Sequence, residues 1–308
     1  LGEILSDQPS SVPLTPFGTV FTGVTPGGEP IFRTENFDGL TWRAAATYEI
    51  NDQINAFLTY ARGRTPEIIA VSSFDFSPED FDILDDEKVD AVEGGVKGVF
   101  LDGALFADLS VYYYDYRDFQ TSQIVNGQII ALNAGDARSI GVETSFNWQI
   151  TDTVSAGGNY GFNDFEFTTG AFDGNRPRLS PEHAISLYGE VTHSLAETGA
   201  ELFLRPSFTW QSEVFFDNDN DRSDLQSVET GRLPGFEDTI VDELQESYAL
   251  LNLRGGVTFQ NFTLEAFATN LLDKEYIIDA GNTGDGFGIP TFIRGEPRLY
   301  GVNLRAEF

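Results

Sequence analysis

Within "FFDNDNDRSD" (residues 215–224), Asp217, Asp219 and Asp221 fall at alternating positions. Hard cations take several carboxylate and carbonyl oxygens, so the run is a candidate Ca²⁺ loop. It is not an EF-hand, because Arg222 stands where that loop needs Gly; the competing reading is a solvated acidic loop. The two histidines, His183 and His193, raise the question of hydrolysis, since Ser194 adjoins His193. Neighbours along a strand point to opposite faces, which argues against that pair acting together. No residue is expected to do covalent chemistry, and the chain is not read as an enzyme. Binding remains. Arg62 and Arg64 precede "SSFDFSPEDFDIL", and Arg64 with Phe74, Phe76 and Phe81 would suit capture of a ligand carrying an anionic group. The alternative is packing of one loop on another. Tyr112, Tyr114 and Tyr116 share a parity with Asp108, which reads either as an aromatic wall for a ligand or as wall packing against a neighbouring domain.

These residues need elements to hold them, and the elements announce themselves by period two. In "SIGVETSFNWQI", Ile140, Val142, Thr144, Phe146, Trp148 and Ile150 oppose Ser139, Gly141, Glu143, Ser145, Asn147 and Gln149. "ALFADLSVYYYDY" (104–116), "ALLNLRGGVTF" (249–259) and the closing "PRLYGVNLRAEF" (297–308) alternate in the same way. Such segments run roughly ten residues or more, the length of a tilted membrane strand. Very short links sit at Asn51-Asp52, Leu101 to Gly103, Thr151-Asp152, Ala196 to Gly199 and Gln260-Asn261. Between them lie long polar links at 64–87, 118–138, 167–182, 215–246 and 278–296, the second with Asn126-Gly127 placed to fold a small hairpin. Alternation of short and long links puts all short turns at one end of an up-and-down sheet. The spacing predicts about 11 strands from near Gly39 to Phe308, with residues 1–37 read as an extracellular loop region. An odd count implies part of a barrel, begun inside an outer loop.

Composition agrees. The net charge is −31, opposing nucleic-acid partners. Cysteine and methionine are both absent, so no disulfide or thiolate metal site holds the fold, and a chain starting at Leu1 reads as a processed product, a fragment or part of something longer. No run of about 18 apolar residues marks a membrane helix, which leaves a closed barrel as the way across a bilayer. Tyr113, Trp148 and Tyr300 have the parity of the apolar face and suit interfacial girdles.

"NLLDKEYI" (270–277), the Gly-rich stretch 281–288 and "PRLYGVNLRAEF" together resemble the C-terminal end of TonB-dependent outer-membrane receptors. "NAGDARSIGVE" (133–143), "YARGRTPE" (60–67) and "FLDGALFADLSVYYYDYRDFQ" (100–120) resemble other segments of that family, in the family's order. The resemblance implies an all-β, antiparallel transmembrane β-barrel of 22 strands closed by an N-terminal plug, with residues 38–308 as its C-terminal part. It implies a bacterial outer-membrane location and energy-coupled uptake of a ferric siderophore or similar scarce ligand. Its implied partners are the missing plug and barrel half, the TonB, ExbB and ExbD proteins, and lipopolysaccharide with outer-membrane lipid. The final strand resembles the family's assembly signal, Tyr300, Val302, Leu304 and Phe308 fitting and the small Ala306 fitting less well. A passive porin-like channel, or a structural or adhesive surface barrel, is the alternative function.

Overall fold

The computed structural model describes residues 19–24, 30–34, 37–71, 81–125, 128–220, 222, 243–280 and 292–307. Eleven strands form one sheet: β1 (Trp42–Asn51), β2 (Ile54–Thr65), β3 (Glu87–Phe100), β4 (Leu105–Arg117), β5 (Ala137–Thr151), β6 (Val154–Phe167), β7 (His183–Leu195), β8 (Ala200–Gln211), β9 (Tyr248–Phe259), β10 (Phe262–Thr269) and β11 (Leu299–Ala306). Their order in the sheet is their order in the chain, every pair is antiparallel, and β1 and β11 are the two edges. The predicted strand number and up-and-down path are therefore observed.

Register carries the alternation coherently from strand to strand. The rung Leu58–Gly94–Val111–Val142–Phe162 is apolar. The rung Thr59–Glu93–Tyr112–Gly141–Asn163, one residue away, belongs to the other face. One sheet surface is thus a continuous apolar face, and it is bare: Leu58 is 57 %, Val302 67 % and Leu304 73 % exposed. A water-soluble sheet would bury such a face under a second layer. Here the fully buried large side chains among the described residues are only Phe167 and Phe172, the first at the long-link end of β6 and the second in the link that follows. So large an apolar surface requires a non-aqueous neighbour.

All the tight turns lie at one end. Three use left-handed backbone: Leu101, Asp102 and Gly103 in a 3-10 turn, Gly199, and Gln260. The long links lie at the other end and hold short hairpins of their own. Ile68–Val71 pairs with Phe81–Leu84, Gln120–Val125 with Gln128–Asn133, and Ile277–Ala280 with Phe292–Arg294. The hairpin expected around Asn126-Gly127 is present, its two turn residues lying outside the described set. Two details go beyond the expected links. The region 1–37 contains a hairpin, Thr19–Val24 against Pro30–Thr34. The fifth link begins at Asn270 rather than at 278, because "NLLDKEYI" folds as a turn. There Asn270 and Asp273 have positive φ, and the Asn270 amide donates to the carbonyls of Lys274 and Glu296 at 2.9 and 3.0 Å. Phe308 lies outside the described residues.

Candidate functional site

The polar face of the sheet is where this chain presents chemistry. Strand parity brings Arg43 of β1, Asn55 of β2, Glu93 and Lys97 of β3, Asp108 of β4 and Glu143 of β5 to that face. Between β1 and β3, Arg43, Asn55, Glu93 and Lys97 border a concavity of about 510 Å³ that Phe57 also lines. Lys97 sits over the Phe57 ring at 5.1 Å, so a cation and an aromatic face share the opening.

Tyr112, Tyr114 and Tyr116 stand in a column on the same face, as parity required. Tyr112 and Tyr114 stack at 4.7 Å, and Tyr114 meets Tyr116 edge-on at 6.5 Å. Their surroundings differ. The Tyr112 hydroxyl donates to Asn163 Oδ1 at 3.1 Å, and that oxygen also accepts from Ser139 at 2.6 Å. Tyr116 packs on Phe119 and Phe165, both at 5.5 Å, joining a cluster with Phe167 and Phe172 under the long links. Tyr112 is therefore tied across the wall and Tyr116 belongs to a small core. Tyr114, between them, is the member of the column for which no such hydrogen bond or core role is seen among the described contacts.

The wall is kept smooth by a repeated device. Phe57 lies against Gly95, Tyr112 against Gly141, Tyr188 against Gly157, Phe203 against Gly256 and Phe267 against Gly301, each aromatic facing its glycine directly across the ladder. A Cβ added at any of these glycines would come within 3.0 Å of the partner ring. An aromatic laid flat over a cross-strand glycine covers exposed backbone without standing up into the space beyond it.

Other predicted residues fall elsewhere. Arg64 does not reach the polar face: it pairs with Lys88 in the ladder on the opposite parity, and its side chain is 8 % exposed. Asp86 accepts from it at 2.7 Å and Glu67 accepts as well, so its charge anchors the first long link. Phe74, Phe76 and Asp221 lie outside the described residues, and Phe81 is described only as a strand residue opposite Val71. Asp217 accepts from the Asn220 amide at 3.0 Å, and Asp219 is buried. Among the described residues there is no cluster of three His, Asp or Glu groups able to hold a metal ion. His193 and Ser194 face opposite sides, opposite Leu202 and Glu201 respectively, as expected. His183 sits on the apolar parity among Tyr160, Phe162 and Trp210, with Tyr160 Oη 2.9 Å from its Nδ1.

What sequence reasoning missed is how the long links are joined. The Gln120 side chain donates to the carbonyls of Pro66 and Asp85 at 3.0 and 2.9 Å, tying the second link to the first. Asn218 donates to Thr121 at 2.9 Å, and the buried Asn175 donates to the carbonyls of Asn218 and Asp219 at 2.8 and 2.9 Å. Gln245 Oε1 accepts from the Ile277 amide at 2.7 Å, and Val214, Phe216 and Ala280 cluster beside it. The links form one collar above the polar face. Alternation locates strand faces, but nothing local in a Gly- and Asp-rich link says which distant carbonyl an amide will meet.

The site thus brings together a smooth polar wall, a tyrosine column, mixed charges and a stitched collar. A family model described as TonB dependent receptor-like, beta-barrel, matches residues 17–271. The fold is similar to the ferric yersiniabactin uptake receptor FyuA from Yersinia pestis, with TM-score 0.72 and 20% identity, covering 91% of this chain and 39% of that one. It is similar to the siderophore receptor PiuA from Acinetobacter baumannii, with TM-score 0.65 and 18% identity over 91% of this chain and 37% of that one. The closed form of the ferric-catecholate import receptor Fiu from E. coli K12 gives TM-score 0.64 and 20% identity over 92% of this chain and 38% of that one. This chain thus spans less than half the length of each.

Proposed function

This chain belongs to the TonB-dependent receptor β-barrel family, a family of outer-membrane barrels, and on that premise we propose that its sheet is part of the wall of a receptor for energy-coupled uptake of a scarce, bulky nutrient, with a ferric siderophore as the ligand class. The observation that carries the reading is the one-path, eleven-strand sheet with a bare apolar face and a polar face roofed by long links. The siderophore assignment draws its support from the siderophore receptors it resembles in fold. Unpaired backbone groups in hydrocarbon cost several kcal/mol each, so the edges β1 and β11 would pair with further strands of a closed 22-stranded wall. In this reading ligand is held by the collar and by a plug inside the wall, and TonB with ExbB and ExbD drives the plug aside. The polar-face residues have a passive part. Tyr114 offers an apolar ring beside the acids Glu93 and Glu143, and the flattened aromatics leave the passage clear.

The test uses the full-length receptor in the outer membrane of a host stripped of its own siderophore receptors. Accumulation of radioiron from a panel of ferric siderophores is measured with TonB present and deleted. The expected result is uptake of at least one ferric siderophore that disappears without TonB. Entry of small solutes unaffected by TonB, with no ferric siderophore taken up, would replace the receptor by a passive channel.

A further inference from the structure

Tyr112 reaches past its own neighbour in the sheet. Gly141 of β5 stands between it and Asn163 of β6 in the ladder, and a Cβ at that glycine would fall 2.2 Å from the Tyr112 hydroxyl oxygen. The glycine therefore leaves a gap through which the phenol crosses β5 and donates to Asn163 Oδ1 at 3.1 Å. The buried Ser139 donates to the same oxygen at 2.6 Å, so both of its lone pairs are engaged. The amide nitrogen of Asn163 donates to the Ser180 hydroxyl at 3.1 Å, and its backbone N–H donates to the Glu182 carbonyl at 2.8 Å. Ser180 and Glu182 close the third long link, which Asn175 fastens in turn to the fourth. One side chain thus joins the tyrosine column to the collar.

The link arrives at Asn163 through a strained turn. Leu179, immediately before Ser180, has φ +56°, a left-handed conformation unfavourable for a bulky side chain. Its N–H donates to the Phe215 carbonyl at 2.8 Å, while its side chain stays 50 % exposed. Burial of Leu179 does not offset the strain; what the turn secures is the placement of Ser180 on Asn163. At the other end of the same chain of contacts, Tyr112 stacks on Tyr114 with ring planes 23° apart. Tyr114 has no hydrogen bond of its own among the described contacts, so its ring plane is set by Tyr112 on one side and Tyr116 on the other.

We propose that Asn163 is a positioning residue for the cargo. It fixes the Tyr112 ring on which Tyr114 stacks, and it seats the third link beside that ring, so that wall and link meet the cargo as one piece. The inference rests on the reading of Tyr114 as a ring that contacts a ferric siderophore.

The test titrates the full-length receptor, by fluorescence, with the ferric siderophore of the uptake panel that it accumulates. Tyr114→Ala examines the premise: no accumulation of any panel member, or unchanged affinity in this variant, overturns premise and proposal together. With the premise intact, Tyr112→Phe, which keeps the ring and removes the donor, should raise Kd about fivefold, the worth of about one hydrogen bond. Asn163→Ala should raise it at least as much, and the two combined should cost no more than Asn163→Ala alone, since both break one bond. Additive losses, or a Tyr112→Phe receptor that binds as tightly as the parent, would overturn the proposal and leave Tyr114 as a contact. Two further readings separate positioning from plain stabilisation. The fluorine resonance of 3-fluorotyrosine in place of Tyr112 should move in Asn163→Ala and stay in Ser180→Ala, while hydrogen exchange across 179–182 quickens in both. A resonance unmoved by Asn163→Ala, or exchange unmoved by Ser180→Ala, counts against the proposal. The same label in place of Tyr116 should keep its resonance, which shows that the barrel has formed, and Tyr112→Phe carries the test should Asn163→Ala fail to assemble.

Discussion

Gly157 and Gly161 lie on the same face of β6, and the structure gives them opposite fates on substitution by alanine. A Cβ at Gly157 would fall 2.3 Å from the Tyr188 hydroxyl oxygen, 2.4 Å from its Cζ and 2.9 Å from Asn147 Oδ1, whereas one at Gly161 meets nothing within 4 Å. Non-bonded carbons settle at about 3.5–4.0 Å, so the ring must retreat by about 1 Å or more. It then loses the hydrogen bond its hydroxyl donates to Asn147, worth about 1 kcal/mol. Overpacking adds about 1–3 kcal/mol, toward the low end here because Tyr188 is 51 % exposed and can swing away. Replacing Gly by Ala in a strand returns about 0.5–1 kcal/mol. Gly157→Ala should therefore destabilise the barrel by about 1 kcal/mol, and Gly161→Ala should stabilise it by about 0.5 kcal/mol. Urea midpoints of the full-length receptor in phospholipid vesicles, followed by tryptophan fluorescence, give both signs. Adding Tyr188→Ala closes a double-mutant cycle in which the clash is gone. Equal shifts for the two glycines, or a coupling below about 0.5 kcal/mol, would refute the account of rings laid over glycines.

Other consequences can be checked in the same receptor. Asn175→Ala removes the donor to the carbonyls of Asn218 and Asp219 and should weaken the collar locally by about 1–3 kcal/mol, read as faster hydrogen exchange of 216–220 with β6 unchanged. Leu109→Arg on the apolar face should cost about 2–4 kcal/mol near the bilayer midplane and impair assembly, while Asp108→Asn on the neighbouring polar position leaves assembly intact. Tyr114→Ala should weaken siderophore binding, measured by fluorescence titration, without shifting the urea midpoint by more than about 1 kcal/mol.

The sheet was readable because its environment imposes one rule on every strand. Lipid on one side and water on the other force period two, and a one-residue slip would turn Leu58 and Val111 inward, so register follows from pattern. Tight turns were equally plain, being too short for anything but a reversal. The ion pairs of Arg64 were not legible for a definite reason. Sequence placed it near a Phe-rich link but could not show that Asp86 and Glu67 converge on it. The turn at "NLLDKEYI", ahead of the expected link at 278–296, was not legible because the Asn270 amide bonds that fold it end on Lys274 and, across the link, on Glu296. The tyrosine column was placed correctly by parity, yet its division into a tied, a less constrained and a packed member depends on Asn163 and Phe165 of β6, two strands away.

The collar shows how two kinds of fastening divide the work. From the second link onward, the links are joined by carboxamide groups that do not titrate, Asn175 donating to the carbonyls of Asn218 and Asp219, Asn218 donating to the Thr121 hydroxyl and Gln245 Oε1 accepting from the Ile277 N–H, beside the ion pairs Arg176–Glu213 and Arg178–Asp279. The first link is held differently, by Asp86 between Arg64 and Lys88. Burial opposes ionisation of Asp86, but hydrogen bonds from Lys88 and Arg64 outweigh it and hold the carboxyl below its ordinary 3.8. A carboxyl depressed in the folded state contributes stability above its unfolded pKa, and that contribution is lost as pH falls through the folded value. Acid below about pH 4 should therefore release the first link while the others keep their seams. Hydrogen exchange across 66–68 and 83–87, set against 175–179, would show selective loss of protection in the first segment. Simultaneous loosening of both would mean that charge, and not amide bonding, holds the whole rim. Selective loosening would make the first link the part of the collar able to move while the rest keeps its shape.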